Sequence, residues 1–138
     1  MNASGDIAEI AFIHECYKRG FKAFIPYSHD TKTDVIIKRP GEPPVSVQIK
    51  KGTLQKNAPH LTQSWKALVG SAKSSNRLHN GTPRYTRYSK ADFQVLVVDL
   101  GKHGLTFWRI EDICHQSTFR WNEDKPSNNW DLLDTINL

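Results

Sequence analysis

The sequence predicts a mixed α/β domain, a central mixed β-sheet of about five strands flanked by helices in the order α-β-β-β-α-β-β. Three observations point there. Apolar residues recur at helical spacing from Ile7 to Tyr17, three alternating segments follow between Phe21 and Lys51, and a second helical stripe precedes two further strands. Residues 1–138 read as a single domain with one modest core.

In the first helix Ser4 or Asp6 offers a cap, and Ile7, Ile10, Phe12, Ile13, Cys16 and Tyr17 form the apolar face. Gly20 is its expected end. Glu9 lies at the border of that face, either a boundary carboxylate with its head in water or a ligand for a metal beneath the helix. Phe21 to Tyr27 alternates as a first strand that Pro26 ends. Thr33 to Lys38 and Pro44 to Lys51 are the second and third strands. Pro40 and Gly41 stand where a type II turn wants them.

Leu61, Trp65, Leu68, Val69 and Ala72 fall on one stripe of a second helix, with Lys66 and Lys73 on another face. From Ser74 to Ser89 the chain reads as a loop, with Asn80-Gly81 as a turn and Pro83 as a breaker. Phe93 to Leu100 is an apolar, central strand, and the turn Gly101 to Gly104 leads to a fifth, Leu105 to Ile110. Glu111-Asp112-Ile113 starts a helical turn. The remainder, with Trp121, Pro126 and a short helix from Trp130 to Ile136, is expected at the rim.

Hydrophobic residues make up 38% and charged residues 24%, which excludes a disordered chain, and no apolar run approaches the roughly 20 residues of a membrane helix. The first residues show no basic start before an apolar stretch, so no secretory signal is expected. Cys16 and Cys114 stand alone, which suits a reducing, cytoplasmic setting. The six histidines form neither HxH nor HExxH, and a Gly-rich phosphate loop and a GxSxG elbow are missing.

Charge carries more information. The net charge is +5, and the 49 residues between Glu42 and Asp92 hold no acid at all. Lys50, Lys51, Lys56, Lys66, Lys73, Arg77, Arg84, Arg87 and Lys90 all fall there, and Lys32 precedes them. Arg84-Tyr85-Thr86-Arg87-Tyr88 interleaves cations and aromatics, a pattern suited to phosphates and exposed bases. The expected nucleic-acid face is therefore Lys32, Lys51, Lys56, Lys66, Lys73, Arg77, Arg84, Tyr85, Arg87 and Lys90.

Alternation puts Ser46, Gln48 and Lys50 on one side of the third strand and Val45, Val47 and Ile49 on the other. Asp34 heads the second strand and meets the Gln48–Lys50 pair if the two strands run antiparallel. An acid, an amide and a lysine at one end of a hairpin suit a divalent metal and a phosphate. The same alternation also describes the wet face of an ordinary hairpin.

With Glu9 in the first helix, Asp34 on the second strand and Gln48-Ile49-Lys50 on the third, the plan resembles the PD-(D/E)xK nuclease superfamily, whose members share a restriction-endonuclease-like core. The resemblance covers roughly residues 5 to 113. Within the superfamily it looks closest to small group I intron-encoded homing endonucleases, some of which carry Gln in place of the second acid. Archaeal Holliday junction resolvases are similar in size and element order.

The resemblance implies a metal-dependent endonuclease. Asp34 would be the invariant ligand of Mg²⁺ or Mn²⁺, and Gln48 would offer its amide oxygen beside the Ile49 carbonyl. Lys50 would orient or deprotonate the attacking water or neutralise phosphoryl charge, and Glu9 would complete the site directly or through water. Parity selects Lys50 over Lys51. Thr33 stands at the nominal proline position, and Gln48 removes one negative charge from the ligand set. The implied partner is double-stranded or branched DNA. Cutting both strands implies a homo-oligomer, dimer or tetramer. The alternatives are a junction-specific nuclease and a non-catalytic nucleic-acid-binding protein that kept the fold.

Overall fold

Helix α1 (Ala3–Lys18) stops at a glycine for a geometric reason. Gly20 takes a left-handed φ of 82°, its N–H reaches the Tyr17 carbonyl at 3.1 Å, and the Phe21 N–H reaches the Cys16 carbonyl at 2.9 Å. These two bonds close a Schellman motif and satisfy carbonyls that the helix leaves open. The structure is a computed structural model that describes residues 3–28, 31–55, 64–69, 71–77, 83–86, 88–114 and 118–136.

Ten strands are found among the described residues. The first five are β1 (Lys22–Phe24), β2 (Val35–Lys38), β3 (Val45–Lys51), β4 (Thr53–Gln55) and β5 (Ser64–Leu68). The others are β6 (Ser71–Arg77), β7 (Pro83–Thr86), β8 (Val95–Asp99), β9 (Leu105–Arg109) and β10 (Thr118–Asn122). The central sheet is mixed and five-stranded, ordered β1-β2-β3-β8-β9, with β3 and β8 parallel and the other pairs antiparallel. The fold class expected from the sequence is present. The β2–β3 connection is the expected Pro-Gly turn, with Gly41 at φ 74° and the Glu42 N–H bonded to the Arg39 carbonyl at 3.1 Å.

Two cores lie on the two faces of this sheet. On one face α1 contributes Ala8, Phe12 and Cys16 against Val35, Val47, Val95 and Phe107. On the other, Leu96 and Val98 meet Ala67, Phe119 and Trp121 of a small antiparallel sheet ordered β10-β5-β4. The molecule is thus layered as helix, sheet, sheet. The helix α2 (Ile110–Ile113) is the short turn expected after β9.

Three expectations are corrected. Ile7, Ile10 and Tyr17 of α1 are 65%, 66% and 56% exposed, so they are not the buried face. The helix is apolar on two sides, and periodicity cannot say which side meets a sheet. Among the described residues no second helix crosses from β3 to β8: β5 and β6 lie within its span, and the paired β6 and β7 stand where Ser74 to Ser89 read as a loop, Asn80-Gly81 lying outside the described residues. Trp65 and Val69 are four apart, an even number that suits a strand as well as a helix. Ala67 between them is buried while Lys66 and Leu68 are exposed, which is period two. Leu61 lies outside the described residues. Lastly, the C-terminal segment belongs to the cores. Trp130 stacks on Phe12 at 5.7 Å, Leu133 is fully buried, and β10 brings Trp121 inside.

Candidate active site

The site is built where β2 begins beside β3. The paired register begins at Val35 opposite Val47, and beyond it β3 continues against β8. Asp34 fills the gap left by the ending ladder. Its own N–H donates to the Val47 carbonyl at 2.9 Å, and its Oδ2 accepts the Ile49 N–H at 2.9 Å. Burial raises the Asp34 carboxyl above its ordinary value, and the Ile49 N–H and the Lys50 charge partly oppose that.

Glu9 approaches the same point from α1. Burial raises its pKa, and the negative charges of Asp34 and then Asp6 raise it further. Glu9 thus feels both Asp34 and Asp6, yet no group of three His, Cys, Asp or Glu close enough to hold a metal ion exists among the described residues. A cation here would need oxygen from another side chain. Gln48 has one to give. It is 6% exposed, and its Nε2 donates to the Lys32 carbonyl at 3.2 Å, which fixes the amide orientation. Its Oε1 is buried and has no hydrogen-bond partner among the described residues. A hard divalent ion is content with one or two carboxylates, neutral oxygens and water, so these residues fit such an ion.

Lys50 is half-buried, with Nζ 5.8 Å from the Tyr88 ring centroid. It lines a cleft of about 660 Å³ together with Glu9, Asp34, Gln48 and Ile49. All four expected catalytic residues thus share one cleft. Parity did not keep Lys51 out of it. Lys51 lies at the end of β3, just before the chain leaves the central sheet at Gly52; it lines the cleft and pairs with Asp99 at 3.3 Å.

Sequence reasoning missed part of the lining. Asp6, Thr53, Thr118 and Arg120 belong to it. Asp6 stands three residues before Glu9 on the same helix face, a signal that was readable. Arg120 comes from β10, far along the chain, and left none.

The expected basic face is only partly assembled here. Lys66 is exposed and lines the cleft. Lys90 instead pairs with Glu111 at 2.9 Å, and Lys32 contributes its carbonyl to Gln48. On β6 and β7, Lys73 stands in register with Arg84 and Ala72 with Tyr85, while Arg77 pairs with Pro83. Lys56 and Arg87 lie outside the described residues. No helix among those described is long and apolar enough to cross a membrane.

No family model matches the chain, and no curated protein matches it in sequence. A solved structure does match its fold, that of a bacterial homing endonuclease, over 91% of this chain and 80% of that one. That protein is I-Ssp6803I; the TM-score is 0.71 and the sequence identity 19%.

Proposed function

We propose that the protein is a metal-dependent DNA endonuclease of the PD-(D/E)xK type, site-specific in the manner of a homing endonuclease and working as a homo-oligomer. One observation carries the reading: Asp34, Glu9 and the unpartnered Gln48 Oε1 gather beside Lys50 in one cleft rimmed by Lys51, Lys66 and Arg120. The likeness in fold to a bacterial homing endonuclease supports it.

Asp34, Gln48 through Oε1, the Ile49 carbonyl and Glu9, directly or through water, would hold Mg²⁺ or Mn²⁺. The ion would supply Lewis-acid polarisation of the scissile phosphate and a more acidic bound water. The chain's own residues do the rest. Asp34, half-buried and tied to the Ile49 N–H, keeps its free oxygen aimed by the β3 backbone. Lys50 presents an ammonium to the cleft, where it neutralises charge growing on the phosphoryl oxygens and orients the attacking water. Lys51 and Lys66 draw the DNA backbone in.

Cleavage of supercoiled plasmid and of long duplex DNA with Mg²⁺, Mn²⁺ or no metal tests the proposal. Asp34→Ala should lower the rate at least about 1,000-fold, because several kcal/mol of barrier reduction go with the ion. Undiminished cutting by that variant would sink the assignment.

A further inference from the structure

The β10-β5-β4 sheet has an inner and an outer face of opposite character. Trp65, Ala67, Phe119 and Trp121 point into the second core, whereas Lys66, Leu68 and Arg120 are exposed on the outside. Register aligns the outer residues in rows, Thr53–Lys66–Arg120 and Gln55–Ser64–Asn122. The three strands contain no Asp or Glu.

Like charges directly opposite on paired strands repel, so the Lys66–Arg120 pair costs stability unless something anionic lies across it. Neither residue has an ion-pair partner among the described residues. The face is also wall to the catalytic cleft, since Thr53, Lys66, Thr118 and Arg120 line it with Glu9 and Asp34.

We propose that this outer face is the base-reading surface, seated in the major groove of duplex DNA; the proposal rests on the nuclease reading above. A major groove about 12 Å wide admits a two-stranded ribbon such as β5–β10, whose strands lie about 4.8 Å apart. Side chains on one face of a strand repeat at about 6.8 Å, two base-pair steps of 3.4 Å. Arg120 offers the donor fork that matches the guanine O6 and N7 acceptors, and Gln55 the donor–acceptor amide that matches adenine N6 and N7. Asn122 reads less, because its Oδ1 already accepts the Asp124 N–H at 3.0 Å.

The test uses the Asp34→Asn protein, which binds without cutting, to select duplexes from a randomised pool. Arg120→Ala added to that background should lose about 10- to 100-fold preference at one or two adjacent base pairs, and Gln55→Ala at a different position. Affinity for an unselected duplex should change only several-fold, and circular-dichroism melts should show both variants folded. In the selected duplex, 7-deazaguanine at the Arg120-dependent position should weaken the parent similarly and leave Arg120→Ala unmoved. A pool without preference, a profile unchanged in both variants, or sensitivity to inosine in place of the 7-deaza base would overturn the proposal. Wild-type cleavage of the selected duplex reports separately on the nuclease reading. Selection without cleavage would sink that reading alone, and cleavage without base preference would sink this one alone.

Discussion

Asp34 has two jobs that substitution separates. As an acceptor it holds the Ile49 N–H; as a half-buried charge it sits against a desolvation cost. Asp34→Asn keeps an acceptor and drops the charge, so urea melts of the metal-free protein at pH 7 should place it at or above wild type. Asp34→Ala strands a backbone donor and should be less stable than Asp34→Asn by about 1–3 kcal/mol. Glu9 makes a pH prediction. Its folded pKa is raised, so the folded state holds more protons than the unfolded one, and its contribution to stability is lost as pH rises through the folded value. Metal-free Glu9→Gln should therefore melt above wild type at pH 7, the gap closing as pH falls below the ordinary value of 4.5. A gap that widens toward acid would show the sign to be wrong.

At the scale of the element, β5 is the sharpest departure from the sequence pattern. A helical stripe would bury Leu68 and Val69 together, whereas the strand leaves Leu68 55% exposed and Val69, directly after it, is 1% exposed. Leu68→Lys should therefore change stability by less than about 0.5 kcal/mol, and Val69→Lys should cost more than about 2 kcal/mol, measured by denaturant melts. Equal losses would restore the helix. The hairpin β2–β3 was readable by contrast, because its turn chemistry is local and its alternation short.

For the whole molecule, the proposed cleavage of both strands calls for two sites, and α1 carries an exposed apolar stripe beside Glu9. Ile7 and Ile10 flank Glu9 in sequence and are exposed, as are Tyr17 and, after the helix, Phe24 and Ile25. A second copy covering this stripe would bury it and set two clefts side by side. Sedimentation should show a dimer or larger species, and Ile7→Lys with Ile10→Lys should dissociate it without lowering the monomer's stability by more than about 1 kcal/mol. A wild-type monomer at tens of micromolar would refute the arrangement.

What the sequence determined alone is everything set by neighbours along the chain: α1 and its glycine stop, the β2–β3 hairpin, the apolar β8, and Asp34, Gln48 and Lys50 on that hairpin. Spacing of two along a strand and four along a helix needs no partner to be read. Tertiary structure decided what depends on distant partners. It chose which side of a two-sided apolar helix is buried, turned an ambiguous stripe into β5, and drew Trp130 under α1. It also brought Arg120, 54 residues beyond Lys66, into register with it. Burial against a second layer selects among periodicities that the chain holds in common, and that selection built the wall of the cleft.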